Sequence, residues 1–372
     1  MRHRDFGSAA DASAANAHDR PRLFCRRRTD TLARTDEQGP AMIRFGTLGA
    51  AAITPRALIY PCVDEWRASV YAIAARDRTR AEGFARFAGI RHVLDDYQQV
   101  VAHPKVDAVY VPLPINLHRE WTIKALEAGK HVLCEKSFAS NAIEAQDMAH
   151  VAAEKKRVLM DAFHYRYHPV FMRAKEIVDS GVLGRISEIR AQFHVPIPAN
   201  LDDIRMNYRT GGGVTMDIGC YPISWVRHLT GEEPIEVTAR AEVGPPYVDT
   251  MLEATLRFPS GIVARTSGDM RETAKFKAEF EVVGDAGTLT VVNPLIPQNG
   301  HQIKLATRSG TSTEQRDRRP TYGYQLDAFI AAVETGAPLC TDADDAVKQM
   351  RVIDRCYRAA GLPLRGDPDL DR

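Results

Sequence analysis

The chain has 372 residues, 44% of them hydrophobic and 26% charged, with a formal net charge of +1. This is the profile of a globular protein long enough for two domains. Near-neutrality gives no global pull toward nucleic acid or an anionic membrane, and no apolar run approaches the ~20 residues of a membrane span.

The six cysteines (Cys25, Cys62, Cys134, Cys220, Cys340 and Cys356) are scattered without a Cys-x-x-Cys pair. That scatter points to reduced thiols in a cytoplasmic protein rather than a disulfide frame. No four ligands stand at recognised zinc spacing, so no metal is expected; His131, Cys134, His164 and His168 read as ordinary packing or polar residues.

Residues 1–41 are rich in Arg, Asp, Ala and Ser, with no sustained apolar period. They lack the apolar core of a secretory signal, and their acids argue against an organellar presequence. They read as a disordered extension, or else Met42 is the true start.

The stretch 43–55 organises the rest of the chain. An apolar β-type run, Ile43-Arg44-Phe45, enters a turn of small residues, Gly46, Gly49, Ala50, Ala51 and Ala52, and a helix carrying Ala57, Leu58 and Ile59 comes next. Strand, Gly-rich turn and helix in that order hold a pyrophosphate: small residues admit the phosphates to backbone N–H groups, and the helix N-terminus is partly positive. The match to G-x-G-x-x-G is partial, with Ala51 and Thr54 at the second and third positions if Gly49 is the first.

A second strand at 69–75 ends at Arg76-Asp77-Arg78, where a dinucleotide fold reads the adenosine ribose. Arg76 suits a 2′-phosphate; Asp77 is either an alternative ribose ligand or a helix N-cap. A short strand at 91–94 and a helix around 97–101 lead to a buried strand at 108–111. The loop from Pro112 through Leu113 and Asn116 to His118 comes after it, then a helix capped by Gly129. A strand at 131–134 runs into Glu135-Lys136-Ser137, and a helix at 143–157 and a strand at 158–163 complete the series. This β-α alternation predicts a doubly wound parallel sheet with ligands at the carboxyl ends of its strands.

Beyond about residue 165 strands recur without intervening helices, at 186–195, 235–243, 251–258, 262–267, 276–283, 288–291 and 301–305. Turn signals separate several of them, so an α+β domain on an open, mostly antiparallel sheet is expected. Its one prominent helix starts after Gly211-Gly212-Gly213 and ends near Gly231. Closing helices at 322–335 and 342–360 are expected to pack back on the first domain. The domains are thus 42–164 and 165–360, with a tail at 361–372.

Ionisable groups gather in two places. Lys136 ends a buried strand, aimed at the nicotinamide region. Asp217 and Tyr221, at i and i+4, share one helix face. Together these suit alcohol–carbonyl interconversion, in which a lysine or tyrosine serves the substrate oxygen as acid or base. A nearby ammonium is expected to favour the Tyr221 phenolate, with Asp217 orienting the substrate.

These residues resemble a known family. Gly46-x-x-Gly49 with its Ala-rich turn, Ala75-Arg76-Asp77, Pro112-x-Pro114 to His118, Gly129-Lys130-His131-Val132-x-Cys134-Glu135-Lys136, and Gly211-Gly212-Gly213-x-x-x-Asp217-x-Gly219-x-Tyr221 are similar in order to the glucose–fructose oxidoreductase/inositol dehydrogenase (Gfo/Idh/MocA) family, over about 42–360. The resemblance implies an N-terminal Rossmann domain and a C-terminal domain whose open sheet mediates homodimers or homotetramers. It also implies NAD(P)-linked oxidation or reduction of sugars, cyclitols or related diols, with NADP(H) favoured by Arg76 and NAD(H) possible. By position it makes Lys136 the catalytic lysine, Asp217 a substrate contact and Tyr221 the acid/base, as in the glucose–fructose oxidoreductase and dimeric dihydrodiol dehydrogenase branches. It assigns cofactor contacts to Gly46, Gly49, Ala50, Ala51, Ile53, Arg76, Pro112, Leu113, Asn116, His118, Glu135 and Lys136.

One departure stands out. Ser137 replaces the family's usual proline, and since a non-proline cis bond costs about 2.5–4 kcal/mol, a cis bond after Lys136 is expected to be lost. The alternative reading is a cofactor-binding sensor that keeps the fold without turnover. The loop 196–209 is expected to help set substrate choice.

Overall fold

A computed structural model describes residues 42–370 apart from 199 and 368, so the reading of 1–41 lies outside the described residues. The parallel sheet begins with β1 (Ile43–Leu48), which enters a π-type turn at Pro55–Ile59 and helix α1 (Tyr60–Asp64). Then come β2 (Ala68–Ala74), α2 (Arg78–Ala88), β3 (His92–Val93), α3 (Tyr97–Ala102), β4 (Ala108–Val111), α4 (His118–Glu127), β5 (His131–Cys134), α5 (Ala142–Lys155) and β6 (Leu159–Asp161). The strand order β3-β2-β1-β4-β5-β6, with all pairs parallel, is the doubly wound order of dinucleotide-binding folds. The order reverses between β1 and β4, and it is at the carboxyl ends of strands at such a reversal that doubly wound sheets bind their ligands.

Alternation along β4 sorts its two faces. Ala108 and Tyr110 pack with Phe45, Leu133 and Phe329, whereas Val109 and Val111 pack with Leu48, Val132 and Leu126. The first face is covered by α8 (Thr321–Thr335), where Phe45 and Phe329 lie 5.4 Å apart. The second face belongs to a core that continues without a break into the other sheet.

That second sheet collects β7 (Ile186–His194), β8 (Glu236–Val243), β9 (Asp249–Arg257), β10 (Val263–Asp269), β11 (Lys277–Gly284), β12 (Gly287–Val292), β13 (Gln302–Thr307) and β14 (Gly310–Glu314). Its order is β14-β13-β12-β11-β7-β10-β9-β8, antiparallel except for the β7–β10 pair. One face packs on α6 (Pro169–Asp179), α7 (Cys220–Thr230) and α9 (Ala343–Ala359), with Trp225 fully buried at the centre. The other face is open.

Three elements depart from expectation. Helix α6, which was not expected, precedes the run of strands: His168 caps it by accepting from Val170 N–H, Pro169 fits its first turn, and Val170, Phe171, Ala174 and Ile177 form its buried stripe. Helix α2 begins just past Arg76, and the Asp77 carboxylate caps it by accepting from Thr79 and Arg80 N–H. Strand β14, Gly-Thr-Ser-Thr-Glu, carries no apolar residue and leaves no periodic signal, because it is a solvated edge.

Burial also sets the acid response. His131 and His168 each accept a backbone N–H, from Val158 and Val170, and burial lowers both to about 4. In the unfolded chain they titrate near ~6.5. Their contribution to stability is therefore complete above about 6.5 and is lost as the pH falls toward about 4, because the unfolded state binds the extra protons. Urea unfolding is expected to show a lower midpoint at pH 5 than at pH 7.5; an unchanged midpoint contradicts the buried neutral state of these rings.

Candidate active site

The Gly-rich turn lies at the reversal point of the parallel sheet. Gly49 has φ 92°, and a Cβ there would sit 3.3 Å from Leu113 Cδ2, so the turn approaches the β4 loop as closely as glycine allows. Arg80 Nη2 donates to Ala50 O at 2.8 Å and pins the turn to α2. Ala50, Ala51 and Ile53 come next, with backbone N–H groups that make no bond within the described residues, just ahead of the helical segment 55–64. Free N–H groups at a helix start fit a pyrophosphate. Arg76 is exposed directly beyond β2, with Asp77 occupied as the cap of α2.

Two expected contacts are corrected. Gly46 lies inside β1, not in the turn; a Cβ there would meet Val100 Cγ1 at 2.4 Å, so this glycine admits α3 rather than a nucleotide. His118 is fully buried, its Nδ1 3.0 Å from Ser137 O and its Nε2 2.8 Å from Leu113 O. Burial lowers this ring to about 4, so its single N–H donates to one of the two carbonyls while the ring packs between the Pro112–Leu113 loop and the segment after Lys136, buried away from a cofactor. Asn116, by contrast, is exposed on that loop.

Lys136 lies two residues past the end of β5, and its side chain crosses to the π turn ahead of α7. Its Nζ donates to Asp217 O at 2.7 Å and to Asp217 Oδ1 at 3.0 Å. The Lys136–Ser137 bond is cis, contrary to expectation; Ser137 is buried, and its hydroxyl donates to Met216 O at 3.0 Å. Beside it, Tyr110 donates to Glu135 Oε1 at 2.7 Å, and burial raises the Glu135 carboxyl.

Asp217 is not simply stacked on Tyr221. Residues Thr215–Gly219 form a wide π turn ahead of α7, which places the Asp217 carboxylate at Lys136 while Tyr221 points into an aromatic nest of Phe163, Tyr165 and Phe193. Gly219 lies against Gly268 of β10, where a Cβ on Gly268 would stand 2.9 Å from the Gly219 Cα. Burial works to lower the Lys136 ammonium, but Asp217, Cys220 and Glu135 outweigh it and leave its pKa raised. The expected Tyr221 phenolate is also corrected: burial lifts that phenol well above its usual range, and Lys136 Nζ lies 5.6 Å from its ring centroid without bonding its hydroxyl. Both groups are therefore proton donors at neutral pH.

The triple glycine explains itself by what it touches. A Cβ on Gly211 would be 2.7 Å from Ile115 Cβ, on Gly212 2.6 Å from the carbonyls of Arg205 and Asn207, and on Gly213 2.1 Å from Asp249 Oδ1. The loop 204–210 folds down over these glycines, and Arg205 Nη1 comes within 3.9 Å of Asp217 Oδ2 while its Nε and Nη2 hold Asp203.

The residues after 360 are more than a tail. Arg365 is wholly buried; it donates to Gly212 O at 2.6 Å and to Asp249 Oδ1 at 2.6 Å, and Asp249 Oδ2 accepts from Thr215 N–H at 2.9 Å. An arginine near a chain end carries no sequence signal for this clamp.

Two family profiles match consecutive parts of the chain: "Oxidoreductase family, NAD-binding Rossmann fold" over residues 43–163 and "GFO/IDH/MocA C-terminal domain" over residues 171–290. The chain belongs to the Gfo/Idh/MocA oxidoreductase family. Among its relatives, D-xylose 1-dehydrogenase (NADP(+)) 2 of Haloferax volcanii is 34% identical over 321 residues, 85% of this chain and 97% of the relative. The solved aldose-aldose oxidoreductase of Caulobacter crescentus superposes with a TM-score of 0.79 at 25% identity, covering 86% of this chain and 98% of that one. A 3-ketoreductase from Actinomadura kijaniata, solved with NADP and TDP-benzene, gives a TM-score of 0.77 at 29% identity over 86% and 98%. Gfo/Idh/MocA proteins carry a parallel cofactor sheet and an open second sheet, and both are present here.

Removing Arg365 tests the clamp. Arg365→Met leaves Asp249 buried without its cation, and a loss of about 3–5 kcal/mol in unfolding free energy is expected. Adding Asp249→Asn is expected to recover part of it. An unchanged urea midpoint in the single variant contradicts the clamp.

Proposed function

We propose that the protein is an NADP(H)-dependent oxidoreductase acting on the CH–OH group, or the corresponding ketone, of a sugar, cyclitol or related cyclic diol. The observation that carries this reading is the half-buried Lys136–Asp217 ion pair at the carboxyl end of β5. When bound, the nicotinamide supplies or accepts the hydride. The turn 49–53 with its free N–H groups binds the pyrophosphate, and Arg76 takes the ribose 2′-phosphate, with Arg80 holding the turn beside it. NADP in the names of the xylose dehydrogenase and of the 3-ketoreductase complex supports the same preference, and NADH is the weaker partner.

Lys136, kept as an ammonium, hydrogen-bonds the substrate oxygen and offsets the negative charge that gathers there. Asp217 fixes the ammonium and accepts a neighbouring substrate hydroxyl. Tyr221, kept protonated by burial, is the acid that completes reduction; oxidation runs through its minority phenolate form, which takes the alcohol proton. Arg205 is neutralised by Asp203 and Asp217, so the surface it shares with Asp217 is balanced in charge and suits an uncharged polyol.

A non-catalytic sensor rested on Ser137 alone, and Ser137 leaves Lys136 in contact with Asp217. The open face of the larger sheet holds a groove of about 520 Å³ between charged rows that include Arg190, Arg240, Glu253 and Arg265. We assign it to pairing in a homodimer or homotetramer. The free thiols, five among the described residues, suit a reducing cytoplasm.

Against a panel of aldoses, cyclitols and cyclic diols with NADP+, turnover of at least one is expected. On that substrate, Lys136→Ala lowers kcat by about 10²–10⁴-fold, and Tyr221→Phe lowers it by at least tenfold, the range for removing an acid or base. Unchanged turnover in Lys136→Ala contradicts the proposed centre.

A further inference from the structure

Arg205 lies in the loop over the triple glycine, and its guanidinium is only half used. Asp203 accepts the Arg205 backbone N–H at 2.9 Å and Nε at 2.9 Å, and its second oxygen accepts from Nη2. Nη1 makes no hydrogen bond among the described residues and lies 3.9 Å from Asp217 Oδ2. Asp217 is half used in the same way. Its Oδ1 accepts from Lys136 Nζ at 3.0 Å, whereas Oδ2 accepts no hydrogen bond among the described residues.

The gap between Nη1 and Oδ2 is fixed from both sides. Gly213 N–H donates to Arg205 O at 2.9 Å, and Gly213 O accepts from Asp217 N–H at 3.0 Å, so one residue holds both backbones. A Cβ on Gly212 would stand 2.6 Å from Arg205 O, so the loop reaches this position only over glycine. At the side-chain end, the Asp203 carboxylate grips Nε and Nη2 and holds the guanidinium off Asp217. The Arg205 and Asp217 side chains are 32% and 25% exposed, so the gap is open to a small molecule.

A separation of 3.9 Å is too long for a direct hydrogen bond and short enough for one oxygen to bridge. That oxygen must accept from Nη1, which only donates, and donate to Oδ2, which as a carboxylate only accepts. A hydroxyl does both. A carbonyl or ether oxygen cannot donate, and a methylene does neither.

In the function proposed above, Lys136 Nζ bonds the reacting oxygen while holding the other oxygen of this same carboxylate. A hydroxyl on Oδ2 therefore stands beside the reacting oxygen, as the two oxygens of a vicinal diol do. We infer that Arg205 is a specificity-determining residue: with Asp217 it reads the hydroxyl on the carbon next to the reacting one. The site thereby selects vicinal diols and α-hydroxy carbonyl compounds over their deoxy analogues, which leave a cation and a carboxylate unpaired. The inference rests on the reading of Lys136 and Asp217 as the substrate-binding pair of an oxidoreductase.

Kinetics on matched pairs, built around whichever compound of the panel above is turned over with NADP+, test the inference. For an aldose the pair is D-glucose and 2-deoxy-D-glucose; for a cyclic diol it is trans-1,2-cyclohexanediol and cyclohexanol. The wild type is expected to favour the hydroxylated member by about 10–100-fold in kcat/KM, the range for hydrogen bonds to charged groups. Arg205→Met should lower kcat/KM on the hydroxylated member by about tenfold or more and change the deoxy member little, so the preference narrows. A merely structural loss would lower both members alike. Asp203→Asn, which frees the guanidinium to close on Asp217, should narrow the preference from a different residue.

If the wild type turns over the deoxy member as well as its partner, the inference is overturned and the oxidoreductase reading stands. The same holds if Arg205→Met and Asp203→Asn both leave the preference intact. If no compound of the panel is turned over, the oxidoreductase reading fails and the inference falls with it.

Discussion

The ion pair between Lys136 and Asp217 joins the two halves of this molecule at the cleft. Lys136 lies just past a strand of the parallel sheet, whereas Asp217 belongs to the π turn that leads into the helix packed on the other sheet, and the two meet at 3.0 Å. Much of the nearby sequence makes sense as support for that meeting. Ser137 anchors the segment after the lysine to Met216, next to the aspartate, and His118 ties the same segment to the β4 loop. On the other side, the triple glycine lets the loop 204–210 and Asp249 approach within distances that any side chain would obstruct.

The electrostatics are a consequence of this closeness. A lysine taken out of water alone would shed its proton; beside Asp217 it keeps it. A tyrosine buried among Phe163, Tyr165 and Phe193 does the opposite of what an adjacent ammonium suggests, because desolvation of the phenolate dominates and neighbouring groups, Tyr322, Cys220, Glu135 and Asp217, push the same way. On the proposed reading, the site presents two proton donors and one carboxylate to a substrate oxygen. Such a set favours the charge-separated moment of hydride transfer over either end state.

Much of this was legible in the sequence. Alternating apolar strands and helices predict the parallel sheet because each strand is buried on both faces, and the Gly-Ala turn marks the carboxyl end of β1 because small residues there leave backbone N–H groups open to a phosphate. Lys136, Asp217 and Tyr221 could be singled out by position. What remained hidden depends on partners distant in sequence. The π turn that separates Asp217 from Tyr221 depends on packing against Gly268, and Gly46 reads as part of a turn until α3 is seen lying on it. His164 looks like a polar loop residue until α8 brings Thr321 to one nitrogen and α7 brings Tyr221 to the other. Arg365 gives no signal at all, since its meaning lies in Asp249, more than a hundred positions earlier. Edge strand β14 was invisible for a simpler reason: it has no apolar face to mark it.

The most direct measurement is calorimetric titration of the purified, cofactor-free protein with NADPH and, separately, with NADH. The account predicts one NADPH bound per chain, with clearly weaker NADH, because free N–H groups at the turn hold the pyrophosphate common to both and Arg76 meets the phosphate that only NADPH carries. Failure of the folded protein to bind either nucleotide would contradict it.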